Sequence, residues 1–458
     1  MQNWLYKILR KQRLIFYWCI TFFICSVKCM AQKQAREVSV GLGWAGNSVN
    51  TVIFRKNSIT SFKGIQFIAY YDQEGFVIVG KRKTGDSLWE IRKTNMKGNI
   101  HDAHNTISII VDGKGYVHLA WDHHNNLLHY CRSKEPFSLA FTDQMPMTGS
   151  DEQRVAYPEF YRLPNGNLLF FYRSGASGKG NMVIDRYDVT SQKWIQLHKN
   201  LIDGEEQRSA YWQACVDAQG VIHLSWVWRE TPDVASNHDL CYACSKDEGL
   251  TWEKSNGQKY TLPINASGAE YACHIPQSSE LINQTSMTAD EKGRPFIATY
   301  WKDPGTEVPQ YHVVYKNEKG WQVQSLSFRT TPFGLSGAGT KRIPVSRPQI
   351  LLQKNKQGTS ALILFRDAER GDKASVAINE NINKNTWVVK DLTLRSLGSW
   401  EPSYDTELWK AENRLNLFIE KVEQVDAEGT ANVPPQAISV LEWKMNKYEH
   451  IINHHKTH

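Results

Sequence analysis

The stretch KGYVHLAW, Lys114 to Trp121, reads as a tight turn ending in glycine followed by a strand of aliphatic and aromatic residues. The same phrase returns as EGFVIVG from Glu74, NGNLLFFYR from Asn165, QGVIHLSWVWR from Gln219, KGRPFIATYW from Lys292 and QGTSALILFR from Gln357. A weaker seventh copy, NRLNLFIEK, starts at Asn413. Turn glycines at 75, 115, 166, 220, 293 and 358 are spaced by roughly 40–75 residues, the interval of one supersecondary unit repeated with loop insertions. No long segment keeps a 3.6-residue apolar period, so helices are expected to be few. The repeat predicts an all-β, seven-bladed β-propeller occupying residues 32–450 as a single domain. The run AISVLEW, residues 437–443, is expected to pair into the first blade and remove the open edge.

One turn is more specific than the rest. Ser245-Lys-Asp247-Glu-Gly249-Leu-Thr251-Trp252 follows the strand LCYACS. Asp247 can accept backbone bonds inside the turn, Gly249 permits a left-handed bend, and Trp252 is placed to anchor the next strand. This resembles the Asp-box, or BNR repeat, of sialidase-like propellers, and its role is a rim hairpin rather than catalysis. Blurred relatives are DSLWEI, SQKWIQ and NTWVVK, near Trp89, Trp194 and Trp387.

Composition narrows the class. The chain has 458 residues, 41% hydrophobic, with 16 Trp, 19 Tyr and 17 Phe, which supplies a large core and excludes disorder. The formal charge of +7 suggests an anionic partner such as nucleic acid or membrane. Residues 1–31, however, combine Lys7, Arg10, Lys11 and Arg13 with an apolar run from Leu14 to Val27 and the exit Cys29-Met30-Ala31. That is the pattern of a secretory signal, and the run is short for a bilayer span. Its basic residues account for most of the charge, so the mature chain is expected to be nearly neutral. A secreted, periplasmic or cell-surface monomer is expected, bound neither to nucleic acid nor to membrane. Cys131, Cys215, Cys241, Cys244 and Cys273 remain, too few for a disulfide scaffold and odd in number.

Ligands of a propeller sit at the mouth of its central channel, so polar residues beside the inner strands carry the chemistry. In DAHNTISIIVDGKGYVHLAWDHHNNLLHY, residues 102–130, the DGKG turn joins two strands whose far ends are adjacent. His104 is therefore expected beside His123 or His124, with Asn125 next to them. Two imidazoles at one mouth suit proton transfer near neutral pH. His118, inside a strand, is expected to be structural. The following repeats bring YPEFYR, FYRSG, QRSAYWQ and WVWRET. Arg173 and Arg229 sit just beyond apolar strands and offer fixed-charge forks for carboxylate or sulfate. Tyr211 can exchange a proton if nearby arginine lowers its pKa, and Trp212 offers a sugar-stacking face. Trp226 and Trp228 are expected between blades. Arg347, in SRP, is a further candidate for a charged sugar.

A clean pair of carboxylates for glycosidic hydrolysis is missing, since neither Asp122 nor Glu159 is singled out by position. Nor is there a G-x-S-x-G, a P-loop or a dinucleotide fingerprint. His, Tyr and Arg together fit β-elimination on a uronic acid polymer, a reaction that needs no cofactor. A separate group, His238, Cys273 and His274, is a candidate for structural zinc, with Cys241 and Cys244 nearby. In the C-x-x-C, positions i and i+3 of a strand face opposite sides, which argues against both sulfurs sharing one ion.

Taken together, DAHNT, WDHHNN, FYRSG, SAYWQ, WVWRET and SKDEGLTW make residues 40–430 similar to the BNR-repeat family that includes seven-bladed ulvan lyases. The resemblance implies a secreted polysaccharide lyase acting on ulvan, a sulfated, uronate-containing anionic polymer. It implies catalytic roles for His104, for His124 in preference to His123, and for Tyr211, with Arg229 as carboxylate neutraliser. His123, Asn125, Arg173, Trp212 and Arg347 are then expected to contact substrate. Such enzymes can also carry a structural metal, zinc or calcium. Related propellers include rhamnosidase-like hydrolases and non-catalytic glycan-binding proteins, which are the alternative readings.

Overall fold

The computed structural model describes residues 35–444, apart from 55, 56, 284 and 357. The expected leader, residues 1–31, lies outside them, as do both ends of the expected 32–450 domain. Each repeat becomes one antiparallel sheet, and seven sheets form the blades of a propeller. The first comprises Ile59–Phe62, Ile65–Tyr71, Phe76–Lys83 and Glu90–Lys97. The second has three strands, Ile107–Val111, Val117–Trp121 and Tyr130–Arg132. The third has five, because the short strand His124–Asn126 adds to the inner edge of Val155–Arg162. The fourth begins with Ser209–Val216, the fifth with Ser286–Ala289, the sixth with Gln349–Asn355 and the seventh with Ser403–Tyr404.

The ring closes in the opposite sense to that expected. Gln436–Trp443 stays in the seventh blade, and the amino-terminal strand Ala35–Gly43 pairs with it as the outermost strand, Val38 opposite Val440. The carboxy-terminal repeat contains only three strands of its own, so the chain start supplies the fourth and covers the edge.

The turns explain why the phrase repeats. All six turn glycines take positive φ, from 69° at Gly293 to 129° at Gly358, a region other residues enter only with strain. In four blades an aspartate three positions earlier fixes the turn. Asp72, Asp112, Asp217 and Asp290 each accept two backbone N–H groups of the turn through Oδ1, at 2.8–3.0 Å. The rim box works the same way. Asp247 Oδ1 accepts from the Ser245 hydroxyl and from Thr251 N, both at 2.8 Å, and Trp252 is buried.

There is no single central core. The large apolar clusters divide by blade interface: Trp212, Trp226 and Trp228 pack against Phe171 between the third and fourth blades, while Tyr211, Tyr242 and Val314 fill the next gap. The first and seventh blades share a cluster containing Ile68 and Val440. Burying large aromatic area between neighbours leaves the axis free for polar groups. Among the described residues, no helix is long and apolar enough to cross a membrane.

Candidate functional site

The axial mouth of the propeller is a cavity of about 210 Å³. Phe54, His104, Tyr157, Tyr211, Asn283, Arg347 and Glu401 all line it, and one lies at or just before the first strand of each blade. The loops beside the inner strands are therefore where the chemistry collects.

His104 and His124 meet as expected. Their rings stack with centroids 4.1 Å apart and 20° between planes. What joins them is Asp102, which sequence reasoning passed over although it stands two residues before His104. Its Oδ1 lies 2.7 Å from His104 Nδ1 and its Oδ2 lies 2.5 Å from His124 Nδ1. Asp102 Oδ1 also accepts the His104 backbone N–H at 2.9 Å, so a local Asx turn aims the first imidazole. The short strand aims the second, with His124 opposite Ala156. Burial opposes ionisation of Asp102, but hydrogen bonds from both imidazoles hold its carboxyl well below the usual range. With Nδ1 of each ring engaged, Nε2 is the nitrogen left for proton exchange. The three donor groups also lie within 4.8 Å of one another, a spacing that can hold a metal ion.

Across the floor, Tyr157 separates the histidines from Tyr211, its ring 6.0 Å from His104 and 6.0 Å from Tyr211. Tyr157 has φ 56°, unusual for a bulky residue, at a register break between Ala156 and Glu159. That bulge puts the ring into the cavity. Arg173 lies 4.7 Å over Tyr157, and Arg229 lies 5.5 Å from the Tyr211 ring centre. Arg173 is buried, and its Nη1 has no hydrogen-bond partner among the described residues. Arg229 spends Nε on Thr231 O, 3.2 Å away, and Nη2 on Pro232 O. The arginines divide the tyrosines electrostatically. Burial and then the neighbouring Tyr211 push Tyr157 up, whereas Arg229 and Arg173 outweigh burial at Tyr211 and bring it down. Ser177 Oγ stands 3.2 Å from the Tyr211 hydroxyl.

Other expected contacts take different places. His123 is fully buried, and its Nε2 accepts from His129 N at 2.8 Å, so it does not reach the cavity. Asn125 lies outside the cavity lining and accepts from Arg154 Nε at 3.1 Å. Trp212, next to Tyr211 on a strand, points into the interblade core and offers no sugar-stacking face there. Arg347 lines the cavity, but Glu401 grips its Nε at 2.9 and 3.1 Å, so its charge is already matched. Trp226 and Trp228 are core residues, and His118 is buried, as expected.

The residues proposed for zinc do not form a ligand set. Both His238 nitrogens are taken, by Glu230 at 2.8 Å and Asp239 at 3.0 Å. His274 is exposed and stacks on Tyr271, with its Nδ1 3.3 Å from Asp239. The Cys273 thiol contacts the adjacent His274 carbonyl, and burial pushes it up to about 11. Cys241 and Cys244 enter different interblade cores, as strand geometry demands. All five described cysteines are free.

A seven-bladed propeller with a polar axial cavity is thus the class that fold and site define. The chain belongs to the BNR repeat-containing family, whose model matches residues 65–329, more than half its length. It is 26% identical over 265 residues to an ulvan lyase of Nonlabens ulvanivorans, covering 51% of this chain and 54% of that protein. A long-isoform ulvan lyase of Pseudoalteromonas sp. (strain PLSV) is 22% identical over 284 residues, 49% of this chain and 28% of that one. The match thus spans about half or less of these relatives' length. Among solved structures, the polysaccharide lyase Uly1 superposes with a TM-score of 0.65 at 15% identity, covering 90% of this chain and 99% of that chain. An ulvan lyase bound to -[GlcA(1-4)Rha3S]- gives 0.63 at 14%, covering 88% and 95%. These likenesses establish the fold.

Proposed function

We propose that this chain is a secreted polysaccharide lyase that cleaves a sulfated, uronate-containing polymer of the ulvan type by β-elimination. The observation that carries the reading is the cavity's division of labour: a carboxylate-linked imidazole pair on one side, and a tyrosine held down by two arginines on the other. The likeness to ulvan lyases in sequence and fold supports the substrate class.

In this reading Arg173 and Arg229 receive the C6 carboxylate of the uronate and spread the negative charge that develops on C5 removal of a proton. Arg173, with an unpartnered donor, makes the closer contact. The base must stand beside that carboxylate, which selects Tyr211 as phenolate. Tyr211 takes the C5 proton, the C5–H electron pair forms the C4=C5 double bond, and the C4–O4 bond breaks. An imidazolium of the His104–His124 pair protonates departing O4, its positive charge supported by Asp102 in the way a triad carboxylate supports its histidine. Solvent returns the protons, so no cofactor enters the balance.

The test is digestion of ulvan followed by ultraviolet absorbance and product mass. A conjugated, unsaturated uronate whose mass shows no added water is expected. Products heavier by one water identify a hydrolase, and binding without products identifies a glycan-binding propeller; either result overturns the proposal.

A further inference from the structure

Residues 326–348 join the strands Gly320–Ser325 and Gln349–Asn355 with neither helix nor strand, and Gly339, Thr340 and Lys341 among them line the axial cavity. A connection of that length in a compact fold is usually functional. Acids from the fourth and seventh blades hold it by its backbone. Asp233 Oδ1 accepts from Gly337 N at 2.6 Å, and Gly337 O accepts from Val234 N at 3.0 Å. Glu428 Oε1 accepts from Thr340 N at 3.2 Å, and Asp426 Oδ1 accepts from Arg342 N at 2.8 Å. The segment is thus a strap over the mouth. Its first anchor, Asp233, follows Pro232, whose carbonyl holds Arg229. Its second, Glu428, adjoins the imidazole pair, with Oε2 3.8 Å from His104 Nδ1.

Between the anchored Thr340 and Arg342 stands Lys341, whose Nζ makes no hydrogen bond or salt bridge among the described residues. The ammonium lies over Gly337, where a Cβ would come within 3.1 Å of it. Two other cations of the wall are already engaged: Arg347 by Glu401, and Arg366 by Asp372 and the carbonyls of Ile343, Pro344 and Trp400. We propose that Lys341 binds the sulfate ester of a sugar next to the reacting uronate and so sets a preference for sulfated polymer. The inference rests on the lyase reading for the place of the uronate, at Arg173 and Arg229. Those two forks match a planar carboxylate, whereas an ammonium is a compact point charge that meets a tetrahedral oxyanion from many directions. The strap's acids direct oxygens to backbone N–H groups, which leaves the ammonium for an outside anion. Because the backbone on either side is already fixed, binding orders little beyond one side chain.

Ulvan and chemically desulfated ulvan, each given to the parent chain, Lys341→Met and Lys341→Arg, test the assignment through kcat/KM and through calorimetric binding. The parent should prefer the sulfated polymer. Lys341→Met should cut that preference roughly tenfold or more, the scale of one hydrogen bond between charged groups, and mainly through KM. Lys341→Arg should restore most of it, and Tm should match the parent in both variants. A sulfate preference in binding that Lys341→Met removes supports the assignment even where no unsaturated product forms, an outcome that overturns only the lyase reading. Equal handling of the two polymers by the parent overturns the assignment whatever the product assay gives. So does a preference that Lys341→Met retains in full.

Discussion

Aspartate and histidine are paired in two parts of this molecule with opposite consequences. In the second and fourth blades, His118 and His223 are buried, and both nitrogens of each are consumed. His118 meets Tyr130 at 2.8 Å and Asp112 at 3.3 Å; His223 meets Tyr242 at 2.7 Å and Asp217 at 3.0 Å. The same aspartates hold the hairpin turns through their other oxygen. At the cavity, Asp102 instead shares its two oxygens between two half-buried histidines and leaves a nitrogen of each for other work. Residue type is identical; what separates a latch from a proton-handling group is how many ring nitrogens the fold uses up.

The largest effect expected from breaking this contrast is on turnover. His124→Ala should lower kcat by roughly 10²–10⁴-fold with Tm close to that of the parent, because general acid–base groups contribute on that scale. Asp102→Asn should fall in a similar range, since the two imidazoles contact different oxygens of Asp102 and an amide places an NH2 donor against one of them, so that ring loses its tautomer. Steady-state kinetics with thermal unfolding on the same preparations checks both. Parent-like turnover in either variant removes the imidazole pair from the mechanism.

The latch histidines should behave in reverse. His223→Ala leaves Asp217 and Tyr242 buried without their partner, a loss of about 2–4 kcal/mol of stability. Denaturant unfolding should show that loss while kcat per folded molecule stays unchanged. A kcat defect equal to that of His124→Ala would erase the distinction drawn between the two kinds of pair.

How much of this was legible in the sequence follows from the range of each signal. Glycine turns and strand phrases are local, so blade number and the hairpin joining His104 to the 123–124 pair could be read directly. Which histidine faces the cavity was decided by a strand that leaves the second blade and joins the third, a non-local pairing that no spacing reveals. Asp102 was in view within DAHNT, but an aspartate two residues from a histidine is common in turns. Tyr157 depended on a bulge, and the pairing of Arg347 with Glu401 joins residues 54 positions apart. Zinc at His238, Cys273 and His274 was inferred from proximity in sequence, whereas the two histidines contact the Asp239 carboxylate and the Cys273 thiol contacts a backbone carbonyl.

The tyrosine side of the cavity can be probed by pH. A phenolate base gains activity as pH rises through its pKa, and Arg229 is the leading cause that holds Tyr211 down against burial. Arg229→Ala removes that charge, so the pKa of Tyr211 rises and the ascending limb of kcat/KM moves to higher pH. Arg229→Lys keeps a positive charge nearby and should move it less. An unmoved ascending limb in Arg229→Ala would assign that limb to another group, with the imidazole pair the first alternative.

The smallest effect is expected at Trp212, and it sharpens the comparison because Trp212 is the immediate neighbour of Tyr211. Alternation along a strand sends the two rings to opposite faces, one to the cavity and one into the core shared by the third and fourth blades. Trp212→Phe keeps an aromatic core residue of smaller volume, so stability should drop by about 1–2 kcal/mol. KM for polymer and for short oligomers should both be unchanged, because no sugar touches that ring. Tyr211→Phe should do the opposite, abolishing turnover with little change in Tm. A rise in KM for Trp212→Phe without loss of stability would place the indole against the substrate after all.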